Sequence, residues 1–126
     1  MFSHILVGTN DVLAAKKFYD AVMETLGITI GDLNEEKQRV YYRSPNGSLI
    51  VTKPIDGNPA SVGNGSTIGF KCASAEQAKA FHDAAIVAGG TSIEDPPGWR
   101  VNGNKKMFLA YVRDLDGNKL NAIFRG

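Results

Sequence analysis

The sequence predicts an α+β fold: two tandem βαβββ modules forming a curved, incompletely closed eight-stranded mixed sheet, with one helix packed outside each half. Three observations predict it. Residues 4 to 30 are echoed by residues 67 to 93. Each copy opens with a short β-type run and continues with apolar residues at helical spacing. Each copy closes on two β-type runs joined by a turn that contains glycine.

The echo has an offset of 63, from His4 to Thr67. At that offset Ile5 meets Ile68, Ala15 meets Ala78, Phe18 meets Phe81, Asp20 meets Asp83 and Gly27 meets Gly90. The runs "HILVG" and "TIGFK" are the first strands of the two copies. The stretch "DVLAAKKFYDAVMETLG" follows the first, with Leu13, Phe18, Val22 and Leu26 at helical spacing. Asn10 or Asp11 caps this helix, and Gly27 ends it in the left-handed conformation. "SAEQAKAFHDAAIVAGG" repeats the plan, with Ser74 or Ala73 near the cap and Gly89 or Gly90 at the end.

The closing halves also correspond. "YYRSPNGSLIVTK" matches "AYVRDLDGNKLNAIF", so that Arg43 meets Arg113 and Asn46-Gly47 meets Asp116-Gly117. The offset has grown to 70, which gives the second copy about seven extra residues. Proline and glycine place them in a loop over residues 94 to 106. The expected organisation is a single domain over 1–126: module one about 1–54, a linker about 55–65, and module two about 66–126.

Composition bounds the function. The chain of 126 residues is 43% hydrophobic and 21% charged, an ordinary globular balance with length enough for a core. The net charge is +1 with the basic residues scattered, so neither nucleic acid nor an anionic membrane is an expected partner. The single cysteine, Cys72, excludes an intramolecular disulfide. "MFSHILVGTND" has no basic run and no long apolar run, so the expected setting is soluble and cytoplasmic.

Strand alternation sorts the faces. If His4 lines a cavity, so do Leu6 and Gly8, with Ile5 and Val7 toward the helices. Thr67, Gly69 and Lys71 then share the cavity side, as do Asn121, Ile123 and Arg125. Ile68, Phe70, Cys72, Leu120, Ala122 and Phe124 turn to the core, and this second set is apolar as a helix-covered face requires.

With these residues in view, the chain resembles the vicinal oxygen chelate superfamily, which includes glyoxalase I, bleomycin-resistance proteins and ring-cleaving dioxygenases. The resemblance rests on "SHILVGTNDVLAAKKFYDAVMETLG" and "AYVRDLDGNKLNAI". The second is similar to a family pattern of Asp-Pro-Asp-Gly-Asn followed by an aliphatic residue and a Glu. Here Leu115 replaces the Pro and Asn121 the Glu. In metal-using members the resemblance implies four ligand positions facing a concave cavity. They fall on His4, on Thr67, on Asn121, and on Val51 or, with a one-residue slip, Ile50.

One imidazole with a hydroxyl, an amide and an aliphatic side chain does not make a transition-metal site. No divalent metal or other cofactor is therefore expected. Asn121 reads as a polar cavity residue or as an exposed amide on an edge strand. His4 reads as a proton acceptor or hydrogen-bond donor to a ligand, and so as the candidate catalytic base, or as a histidine at a seam without chemistry. Trp99 lids the cavity, with Arg100 beside it for an anion, or packs at a dimer contact. His82 is expected at the surface, and Cys72 as an inert core thiol. No G-x-S-x-G elbow, Cys-His pair or phosphate loop is present.

The expected function is metal-independent binding of a small-molecule ligand in the concave face by His4, Thr67, Trp99, Arg100 and Asn121, in a homodimer. The alternative is an enzyme of the family, metal-dependent or metal-free: a lactoylglutathione lyase-like lyase or isomerase, or a dioxygenase.

Overall fold

The computed structural model describes residues 1–126. The first repeat comprises β1 (His4–Gly8), α1 (Val12–Glu24), β2 (Asp32–Asn34), β3 (Arg39–Ser44) and β4 (Gly47–Thr52). The second comprises β5 (Ile68–Lys71), α2 (Ala75–Val87), β6 (Thr91–Ser92), β7 (Gly98–Asn102), β8 (Lys105–Arg113) and β9 (Lys119–Arg125). The class is α+β, with two helices and no closed barrel. The strands are hydrogen-bonded as two sheets. One runs β1-β4-β3-β2, the other β5-β9-β8-β6, and β7 also pairs with β8.

Local chemistry starts both helices in the same way. The Asp11 carboxylate accepts from the Ala14 N–H at 3.0 Å, and the Ser74 hydroxyl accepts from the Gln77 N–H at 3.0 Å. Gly27 (φ +76°) and Gly89 (φ +103°) follow the helices in the left-handed region, where a Cβ would be strained.

The registers settle the faces. β1 runs parallel to β4 with His4 opposite Ser48 and Leu6 opposite Ile50. β5 runs parallel to β9 with Gly69 opposite Asn121. Leu6 and Gly69 are repeat partners, so Ile50 is the counterpart of Asn121. Val51 instead points into the core, fully buried. Tyr42 is buried there too, and Tyr41 takes the other face. In β8, Phe108, Ala110 and Val112 face the core, and Met107, Leu109 and Tyr111 the opposite side.

A single core cluster of 19 buried residues draws on both helices and on both sheets. Phe18, Tyr19 and Val22 of α1 meet Phe81 and Ala85 of α2, with Val51 and Leu120 below. Cys72 is also in this cluster, and burial pushes its thiol above the ordinary cysteine pKa.

Two expectations are corrected. The extra residues of the second repeat do not form a loop over 94 to 106. They lengthen a hairpin: β8 has 9 residues where β3 has 6. β7 pairs along that extension, from Gly98 opposite Leu109 to Asn102 opposite Lys105. β6 lies on the same edge of β8, and the Pro96-Pro97 stretch interrupts the two, since proline has no N–H for the ladder. The second correction is His82. Its side chain is buried, and Nε2 lies 2.9 Å from the Ser92 hydroxyl of β6. That hydroxyl supplies the polar partner a buried imidazole needs.

Candidate functional site

The two repeats meet at a cleft of about 650 Å³ between their end strands, β1 and β5. That volume suits a small organic molecule. Ile5, Leu49, Ile68 and Phe70 give it an apolar wall, joined by Leu26 and Ile28 from the segment that follows α1. The turn between β3 and β4 closes one side. His4, Gly69 and Lys71 enter from the face of the strands that turns away from the core. No aspartate or glutamate lines the cleft.

His4 is exposed, and its Nδ1 lies 2.5 Å from the Ser3 hydroxyl. The alternation of β1 puts it on the same side as Leu6, which is 44% exposed. Lys71 is exposed, and its ammonium meets no carboxylate and no hydrogen-bond acceptor. Arg43 also borders the cleft, but its guanidinium is committed to Asp32 at 2.9 Å and lies over the Tyr41 ring.

Asn121 stands beside the cleft and not in its wall. Its side chain leans over Gly69, so closely that a Cβ at Gly69 would sit 2.7 Å from Asn121 Oδ1. That oxygen is buried and receives no hydrogen bond. An unpaired buried carbonyl costs stability. Thr67 is exposed, immediately before β5.

Trp99 and Arg100 lie elsewhere. Trp99 packs edge-on against Phe108 and Phe124, with centroids 5.5 and 6.0 Å away, on the face opposite Asn121. The Lys106 ammonium sits 4.5 Å from its ring centroid. The Arg100 guanidinium donates to the carbonyls of Pro96 at 2.9 Å and Asp95 at 3.3 Å, and so braces its own hairpin. Neither residue lines the cleft. Of the five residues expected to share one cavity, the structure brings His4 to the cleft, with Asn121 adjoining through Gly69.

Sequence reading missed the contribution of Leu26, Ile28 and the β3–β4 turn. These residues become neighbours of β5 only when the repeats dock, and no local pattern encodes that. The unpaired end-strand position of β1 and β5 was the available signal.

A model of the Glyoxalase/Bleomycin resistance protein/Dioxygenase superfamily matches residues 1–122. The chain belongs to that superfamily. A glyoxalase/bleomycin resistance protein from Albidiferax ferrireducens T118 is 54% identical and superposes with a TM-score of 0.94, covering 99% of each chain. A putative glyoxalase from Bacillus halodurans is 15% identical with a TM-score of 0.77, covering 98% of this chain and 95% of its own. A lactoylglutathione lyase from Agrobacterium tumefaciens is 16% identical with a TM-score of 0.69, covering 98% and 92%. At those identities the last two share the fold alone. No protein of curated function matches.

The superfamily's metal-binding positions can now be tested on this chain. The resemblance puts them at His4, Thr67 and Asn121, and strand register makes Ile50 the fourth, as the counterpart of Asn121. Only the imidazole is a strong transition-metal donor. Nowhere in the chain do three or more His, Cys, Asp or Glu side chains come together as a metal site. The residues present do not fit a divalent metal.

Proposed function

We propose that this superfamily member binds a small organic molecule without a metal, in the cleft between β1 and β5 and on the adjoining face that carries His4 and Asn121. The observation that carries the reading is the cleft itself. It is about 650 Å³, largely apolar, and bordered by a residue from each repeat's superfamily position or its neighbour: His4 in one and Gly69, beneath Asn121, in the other. The unpaired Asn121 amide supports it, because a ligand that draws the side chain out of its place over Gly69 would give Oδ1 a donor. Thr67, Trp99 and Arg100 do not line this cleft.

We propose further that the protein works as a homodimer. Leu6, at 44% exposure, and Ile123 lie on sheet faces turned from the core, where a second chain would cover them. No helix is long and apolar enough to cross a membrane.

The test is a thermal-shift screen of small metabolites run with and without a chelator. Compounds that raise the melting temperature equally in both arms support metal-free binding. Stabilisation that disappears in the chelator arm would overturn it.

A further inference from the structure

We infer that the ligand is an amphipathic anion, an apolar body carrying one acidic group, with Lys71 meeting the charge. The inference rests on the cleft being the ligand site and adds the class of molecule that enters it.

Three features of the cleft point the same way. Its wall is apolar on both sides of the seam: Ile5 and Leu49 from one sheet, Ile68 and Phe70 from the other. Burial of an apolar ligand body there gains the usual area-proportional free energy. Its titratable border is cationic or neutral. Lys71, Arg43 and His4 reach it, and no carboxylate does. Within that border the charges are not equivalent. The other cation that lines the cleft, Arg43, holds Asp32. Lys71 has none.

The geometry also sets the orientation. Along β5, Ile68 and Phe70 turn to the core side and Gly69 and Lys71 to the other. A molecule lying against the strand therefore meets apolar side chains at depth and the ammonium at the rim. His4 and the Ser48 hydroxyl opposite it in β4 also line the cleft and offer hydrogen bonds to a ligand. A neutral ligand would leave Lys71 without a role, and a cation would meet it with repulsion.

The experiment uses two fluorescent probes of the same ring system, anilinonaphthalene sulfonate and the uncharged N-phenylnaphthylamine, titrated into the intact protein. Both are expected to bind, the sulfonate tighter by about 3-fold or more, as one rim ion pair allows. Added salt narrows the difference. Lys71→Gln removes it, weakening the sulfonate and leaving the neutral probe as it was. Thr29→Tyr, which enlarges an exposed lining residue, weakens both probes and so ties the signal to this cleft. Equal binding of the two probes, or a sulfonate preference that survives Lys71→Gln, would overturn the anion assignment and leave the cleft standing. Binding of neither probe, or of both unaffected by Thr29→Tyr, would remove the cleft as the site.

Discussion

The Tyr19 hydroxyl of α1 donates to the Asp114 carboxylate at the end of β8, 2.5 Å away. This contact joins the two repeats. Asp114 is itself buried and accepts three further hydrogen bonds: from the Asn118 side chain at 2.8 Å, the Asn118 N–H at 2.8 Å and the Asp116 N–H at 3.0 Å. Asn118 in turn donates to the Gly8 carbonyl at the end of β1. Tyr19→Phe removes one donor from a buried carboxylate and should cost about 1–3 kcal/mol in denaturant unfolding. Asp114→Ala orphans several groups at once and should cost more.

The same pair sets an alkaline limit. Burial, then the Asp114 charge and hydrogen bond, hold the Tyr19 pKa well above its ordinary value. Burial and the Asp20 hydrogen bond raise Tyr42 likewise. Above pH of about 10 the unfolded chain releases tyrosine protons that the folded chain still holds. The unfolded state then binds fewer protons, and stability falls as pH rises. The contribution is complete below that pH and is lost above it. Denaturant midpoints measured across the alkaline range should decline, less steeply in Tyr19→Phe. A flat profile would contradict the assignment.

His82→Ala should be destabilising by about 1–2 kcal/mol, since it opens space in a buried helix face, while the exposed Ser92 hydroxyl turns to water. His82→Gln should recover part of the loss by filling part of that space. Unfolding curves of the two variants decide it.

Asn121 and Gly69 should be energetically coupled. Gly69→Ala brings a methyl within 2.7 Å of Asn121 Oδ1, so the amide must swing aside, at a cost of about 1 kcal/mol. In an Asn121→Ala background most of that cost should vanish, which a double-mutant cycle measures. Asn121→Ala alone removes an unpaired buried oxygen and should change stability by less than about 0.5 kcal/mol, or raise it.

The purified protein should carry no stoichiometric Zn, Ni, Fe or Mn, and a chelator should leave its melting temperature unchanged. The motive is the set His4, Ile50, Thr67 and Asn121. Elemental analysis near one metal per chain would refute it. Light scattering should report twice the chain mass, and Leu6→Glu, on the face turned from the core, should lower that value toward the monomer.

Much of the fold was legible because the repeat was legible. An offset of 63 aligns β1 with β5 and α1 with α2, and alternation then assigns the faces. The same offset could have rescued His82. The buried positions Ala78, Phe81, His82 and Ala85 match Ala15, Phe18, Tyr19 and Val22 one for one. His82 is thus the counterpart of Tyr19, and each is a polar aromatic group buried beside a polar partner. Residue type suggested a surface position, and tertiary pairing with Ser92 overrode it. The seam between Val51 and Ile50 was unreadable for a different reason. Turn matching gives an offset of 70, whereas strand register gives 71, and only hydrogen bonding reveals the slipped residue. The cleft was hidden further, since its walls come from elements of both repeats.

The core shared by both repeats carries a consequence for cooperativity. A duplicated sequence invites the picture of two domains that melt one after the other. Here Phe18 and Phe81, repeat partners, belong to the same buried cluster, and each half alone would leave half of that cluster facing water. Unfolding should therefore be all-or-none, with calorimetric and van't Hoff enthalpies equal. The cluster also joins positions far apart in the chain, so its closure is paid in loop entropy before it is rewarded. Folding speed should then be set by the encounter of the two halves, whatever the intrinsic speed of either helix.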